Sequence, residues 1–219
     1  MKRDYTGLAL VLIVFAVGLA WLMAQPLDVI GRVAREGGAV ETASAIGFAA
    51  CALLVWTRSG TAVSNKVCVT VILLAMAGRE LDMDKRFFTR GLFKSSQYLK
   101  EGVPLAEKIV GGAIILCILG CLIGLFLRER QTLWAGLRGG YAGALAVALA
   151  VAFAGIAKSL DGIARKLEPF GVTVTDALSV RFQGVEEVME LMIMALLLVA
   201  VLAVWPGVDR AMDRRGDRG

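Results

Sequence analysis

IVGGAIILCILGCLIGLFL, residues 109–127, runs for 19 positions without a charged side chain. An α-helix rises about 1.5 Å per residue, so ~20 apolar residues cross the ~30 Å hydrocarbon layer of a bilayer. Lipid offers no partner to backbone N–H and C=O groups, and a helix satisfies them within one segment. Working outward from this block, five others read the same way, at about 7–24, 40–56, 61–78, 139–157 and 188–205. The block at 61–78 is the weakest, because Asn65 and Lys66 interrupt its start. The last is closed by Pro206 and Gly207, which do not readily continue a helix.

The whole composition agrees with that reading. Hydrophobic residues make up 58% of the chain and its mean hydropathy is +0.71, against roughly 45–50% apolar in a soluble domain. The expectation is an all-α integral membrane protein, a six-helix transmembrane bundle forming one polytopic domain over residues 1–219. The loop between the third and fourth blocks is expected to hold an interfacial segment. Lys2 and Arg3 before the first block resemble the start of a signal peptide. Its apolar core is longer than the ~7–15 residues of a signal h-region, and Leu22 stands where cleavage after Ala24 wants a small residue. The first block is therefore read as an uncleaved span.

Lys and Arg in short loops set orientation, because they resist transfer across the membrane. With the N-terminus inside, the 57–66 and 128–138 connections and the arginine-rich tail from Asp209 to Gly219 are cytoplasmic. That side then carries eleven bases against five acids, and the opposite side thirteen against fourteen. Seven of the thirteen lie in the one long loop between the third and fourth blocks, so the short loops decide. The expectation is an integral protein of a bacterial inner (plasma) membrane with both termini cytoplasmic. The net charge of +5 then suits an anionic leaflet. No nucleic-acid module or useful aromatic–basic spacing is present, so nucleic acid is not an expected partner. Membrane lipids are, together with a membrane-protein partner.

The chain has no histidine, which excludes a Ser-His-Asp triad, His-ligated haem and His-bound catalytic zinc. Cys51, Cys68, Cys117 and Cys121 all fall inside apolar blocks, a depth that speaks against a secreted-type disulfide framework. Cys117 and Cys121, four apart, share a helix face, but a good soft-metal site needs three or four ligands.

The polar residues gather at one membrane face. Glu41 opens the second block, Arg79-Glu80-Leu81-Asp82-Met83-Asp84 closes the third, and Glu107 and Lys108 open the fourth. Lys158 and Asp161 close the fifth, and Glu186, Glu187 and Glu190 open the sixth. All lie on the non-cytoplasmic side in the N-in orientation. Boundary carboxylates are costly and generally face a bundle interior or a wet cavity. Glu80 with Asp84, and Glu186 with Glu190, are four apart and so are expected to share a face, where like charges repel. A divalent cation such as Mg²⁺ or Ca²⁺ takes oxygen ligands of this kind. The candidate metal-ligating residues are Glu41, Glu80, Asp84, Asp161, Glu187 and Glu190. The competing reading is a structural ion network with Arg79, Lys108, Lys158 and neighbouring bases.

Phe87–Pro104 mixes aromatics with bases, too polar to span and too apolar to lie free in water, as an interfacial helix would. Glu168-Pro169-Phe170-Gly171 is a turn signal, and Thr175 or Asp176 is the expected N-cap for a helix running into the sixth block. Gly120 and Gly124 form a GxxxG pair, read here as close internal packing. Three functions remain open: a cation-binding acidic site, a membrane-embedded enzyme acting on a lipid or lipid-linked substrate, and a non-catalytic scaffold or accessory subunit.

Overall fold

A computed structural model describes residues 5–35 and 37–203. The Lys2–Arg3 pair, the Pro206–Gly207 stop and the basic tail lie outside the described residues. All regular structure is helical, with no strand among the described residues. The helices are α1 (Thr6–Met23), α2 (Leu27–Val33), α3 (Ala39–Thr57), α4 (Val63–Glu80) and α5 (Met83–Phe87). They continue with α6 (Ser95–Leu99), α7 (Leu105–Gly139), α8 (Ala142–Leu160), α9 (Ile163–Leu167) and α10 (Asp176–Leu202). A 3₁₀ turn over Glu168–Phe170 follows α9, where the Glu-Pro-Phe-Gly signal stands.

Four of these, α1, α3, α7 and α8, are long and apolar enough to cross a membrane. The other two expected spans correspond to α4 and α10, which have the length but also the charge. α4 contains Lys66, Arg79 and Glu80, and α10 contains Arg181, Glu186, Glu187 and Glu190. Their positions accommodate that charge. α10 is the central element, packed against α8, α3, α1 and α2, while α4 packs against α3 and α7. The core beneath the charged end comprises Phe48, Cys51 and Val55 of α3, Leu73 of α4, Ala146 and Ala150 of α8, and Met192 and Leu196 of α10. Around it, Leu10, Ile13, Val14 and Val17 of α1 and Leu116, Ile123 and Phe126 of α7 are exposed. Soluble monomers seldom leave contiguous apolar patches larger than a few hundred Å² in water, whereas acyl chains cover them without cost. Apolar helices with apolar outer faces point to a membrane protein.

Side-chain ties sort the helix ends into two sets. At one end the Tyr5 hydroxyl donates to the Gly140 carbonyl, and Arg58 Nη2 donates to the Ala203 carbonyl at 3.2 Å. Asn65 Nδ2 donates to the Glu129 carboxylate there, and Arg128 Nε donates to Asn65 Oδ1 at 2.8 Å. The residue that weakens the third apolar block is therefore a polar clasp between α4 and α7. At the opposite end Arg181 Nη1 donates to the Met23 carbonyl at 2.8 Å, and Arg79 reaches Glu190.

Three sequence expectations change in detail. α7 does not stop near Leu127 but continues to Gly139, because residues 128–138 are charged yet mostly good helix formers (Arg, Glu, Gln, Leu, Ala); polarity ends a span, not a helix. It ends at Gly140, whose φ of +64° is a left-handed conformation that suits glycine. The segment Phe87–Pro104 is not one interfacial helix: α5 and α6 are each five residues long, separated by turns. Among the described residues, no atom outside its own stretch of helix lies within 4 Å of the place a Gly120 Cβ would take, and the nearest atoms at Gly124 belong to Arg128 of the same helix, so no other described helix packs closely on this GxxxG pair. The N-cap expectation for α10 holds, with the Thr175 hydroxyl accepting from the Leu178 backbone N–H.

Candidate functional site

The charged end is assembled from α3, α4 and α10, with α8 at its edge. α4 delivers Arg79 and Glu80 in its last turn, where a cation also complements the helix dipole. α3 delivers Glu41 in its first turn, where its carboxylate accepts from the Gly37 backbone N–H. α10 begins well outside the apolar core, so Glu186, Glu187 and Glu190 fall part-way along it instead of at its tip.

Arg79 is the hub. Its Nη2 donates to Glu190 Oε1, and its Nη1 lies 3.9 Å from Glu80 Oε1. The Glu80 side chain is 3% exposed and that of Glu190 10%, while Arg79 keeps 52% of its side chain open. The guanidinium thus closes over two nearly enclosed carboxylates and keeps one face to the outside. Glu41 and Glu190 act electrostatically on both Glu80 and Glu187, and Glu186 acts on Glu187. Glu190 and Glu80 thus meet the guanidinium and Glu186 acts on it electrostatically, while Glu41 and Glu187 act on the other carboxylates of the cluster, where like charges at close range disfavour one another.

Asp161 stands at the edge. It is the C-cap of α8, and Lys158 Nζ donates to its Oδ2 at 2.6 Å. That bond holds its carboxyl below the ordinary aspartate value of 3.8. Its charge is felt by Glu186. Asp84 is elsewhere, and its expected pairing with Glu80 is overturned. α4 ends at Glu80 and Asp82 turns left-handed at φ +51°, so the chain leaves the helix axis before Asp84 and a spacing of four no longer means a shared face. Asp84 faces Gly91 instead, within the α5–α6 connection.

Two further polar residues were not singled out from the sequence. Ser44 of α3 is fully buried, and its hydroxyl has no hydrogen-bond partner among the described residues. It lies one turn from Glu41 on the same face, and its Cα–Cβ bond tilts toward the Glu41 end. A small polar residue three positions after a boundary acid was the available signal. Gln97 of α6 is fully buried too, but satisfied: its Oε1 accepts from the Arg90 backbone N–H at 2.8 Å and its Nε2 donates to Glu107 at 2.9 Å. Glu107 also accepts from the backbone N–H and hydroxyl of Thr89, at 2.8 and 2.9 Å. This lattice straps residues 83–104 onto the start of α7, beside the acidic end.

Compared with family models, curated proteins and solved structures, the chain matches none. Among the described residues no group of three or more Cys, Asp or Glu side chains is placed to hold a metal ion.

Proposed function

We propose that this chain is a multi-pass membrane protein with six crossings and cytoplasmic termini, whose acidic end binds a cation from the non-cytoplasmic side. The observation that carries the reading is the cluster of Glu41, Glu80, Glu186, Glu187 and Glu190, which act on one another electrostatically while the Arg79 guanidinium meets Glu190 and Glu80. The six-crossing part is supported by the sorting of helix ends and by the central place of α10, where a lipid environment tolerates ionisable residues. Glu41, Glu80, Glu187 and Glu190 are the proposed oxygen ligands, with Asp161 contributing only field. Mg²⁺ and Ca²⁺ are the occupants to test first, since both take carboxylate oxygens.

Thermal unfolding of the detergent-solubilised protein over a titration of each ion tests this, because a ligand of the folded state stabilises in proportion to ln(1 + [L]/Kd). The expected result is a rising midpoint that Glu187→Gln abolishes; a flat titration with both ions overturns the metal form of the reading. Orientation has its own test. A cysteine introduced as Gly60→Cys should resist an impermeant thiol reagent in intact cells, and labelling from outside would place the acidic end in the cytoplasm.

A second reading has a specific observation in its favour. Arg79 already neutralises Glu190, and no three-ligand group exists among the described residues, as in a closed ion network that serves a scaffold or accessory subunit. A protein stable without added ions and indifferent to Glu187→Gln would fit that reading.

A further inference from the structure

We propose that the strap formed by α5 and α6 is a dock for anionic phospholipid headgroups. The proposal rests on the membrane reading and deepens it. From Lys85 to Lys100 the sequence contains five bases and no acid. Lys85 is held by Asp82 at 2.8 Å, whereas Arg86, Arg90, Lys94 and Lys100 are exposed and enter no ion pair among the described residues. Each of three bases is adjacent in sequence to an outward apolar side chain: Arg86 to Phe87, Lys94 to Phe93, and Lys100 to Leu99. Those apolar neighbours are 71%, 54% and 82% exposed.

The opposite side of the strap is closed. Leu92, Gln97 and Val103 are buried, and the Glu107 lattice fastens the segment to α7. Only Leu81 and Asp82 separate α5 from α4, so the strap has no slack to leave the bundle end. A rigid surface at that depth, pairing apolar tips with cations, matches a layer in which phosphates overlie acyl chains. The tips enter the acyl boundary while the bases meet the phosphates. Charge complementarity selects an anionic lipid over a zwitterionic one.

The test uses the full chain in detergent, with thermal unfolding followed against phosphatidylglycerol and, separately, phosphatidylcholine. Each base near an anionic surface contributes ~1 kcal/mol, so phosphatidylglycerol should act at a concentration about tenfold or more below phosphatidylcholine. In a variant carrying Arg86→Gln, Arg90→Gln, Lys94→Gln and Lys100→Gln the two titrations should coincide. A second variant, Leu99→Ser, should weaken both lipids alike. The dock is overturned if the four-base variant keeps the preference, or if inorganic phosphate reproduces the phosphatidylglycerol effect. Extraction of the chain from membranes by alkaline carbonate would defeat the membrane reading itself; coinciding titrations of the parent, on a carbonate-resistant protein, would defeat the dock alone.

Discussion

Placing a methyl group on Gly111 should loosen the strap, whereas placing one on the adjacent Gly112 should not. A Cβ at Gly111 would lie 2.8 Å from the Tyr98 hydroxyl, 3.1 Å from Leu92 Cδ1 and 3.2 Å from Phe88 Cε1, all atoms of the strap. The Tyr98 hydroxyl is not free to swing aside, because it donates to the Leu92 carbonyl at 2.7 Å. Replacing glycine by alanine inside a helix gains about 0.8–1 kcal/mol. Against that stand about 1–3 kcal/mol for overpacking and about 1 kcal/mol for the displaced hydrogen bond. Gly111→Ala should therefore lose about 1–3 kcal/mol net. At Gly112 no atom of the described residues outside its own stretch of helix lies within 4 Å of the place a Cβ would take, so Gly112→Ala keeps the helix gain and should be neutral to stabilising by up to about 1 kcal/mol. The assays are denaturant unfolding in detergent and limited trypsin digestion, read at Arg86, Arg90 and Lys94. Equal shifts for the two variants, with strap cleavage unchanged in both, would refute the packing of the strap on α7.

Arg79→Met removes the guanidinium from two nearly enclosed carboxylates. Breaking a buried pair costs about 3–5 kcal/mol, and the half-exposed guanidinium reduces the expected loss to about 1–3 kcal/mol. Adding Glu190→Gln should recover part of that loss in a double-mutant cycle; strictly additive losses would mean the two side chains do not interact. Ser44→Ala deletes a buried hydroxyl that has no partner among the described residues and should stabilise by about 1 kcal/mol, whereas a loss of that size would show that the hydroxyl is bound to something in the folded protein. Asp161 supplies a pH test with a definite sign. Lys158 lowers its folded pKa, so the pair stabilises above the unfolded value of 3.8, and the gain is lost as pH falls through the folded value. Lys158 is largely exposed and Asp161 about half-exposed, so Asp161→Asn should cost only about 0.5 kcal/mol near neutrality and nothing in strong acid. A cost that persists unchanged in acid would remove the ion pair as its cause.

What the amino-acid sequence determined alone is what local physics decides. A helix closes its hydrogen bonds four residues apart, and lipid demands that closure, so charge-free blocks such as 109–127 announce helices without reference to the rest of the chain. The Thr175 cap and the turn at Glu168–Phe170 were legible for the same reason, since each depends on a few neighbouring residues. The gathering of acids at one end also followed from counting block ends. Which acids meet did not. Each residue turns a helix by about 100°, so partners across helices depend on how each helix is rotated and where it stops. Ending α4 at Glu80 and turning at Asp82 sent Asp84 to the strap, while the early start of α10 carried Glu186 into the cluster beside Glu187 and Glu190. The choice of Arg79 as hub and the Gln97–Glu107 lattice join residues that lie on different elements, and the burial of Ser44 depends on helices packed around it. Tertiary packing decided those, because the energy of a charge or a hydroxyl depends on what surrounds it in space and not on its neighbours in the chain.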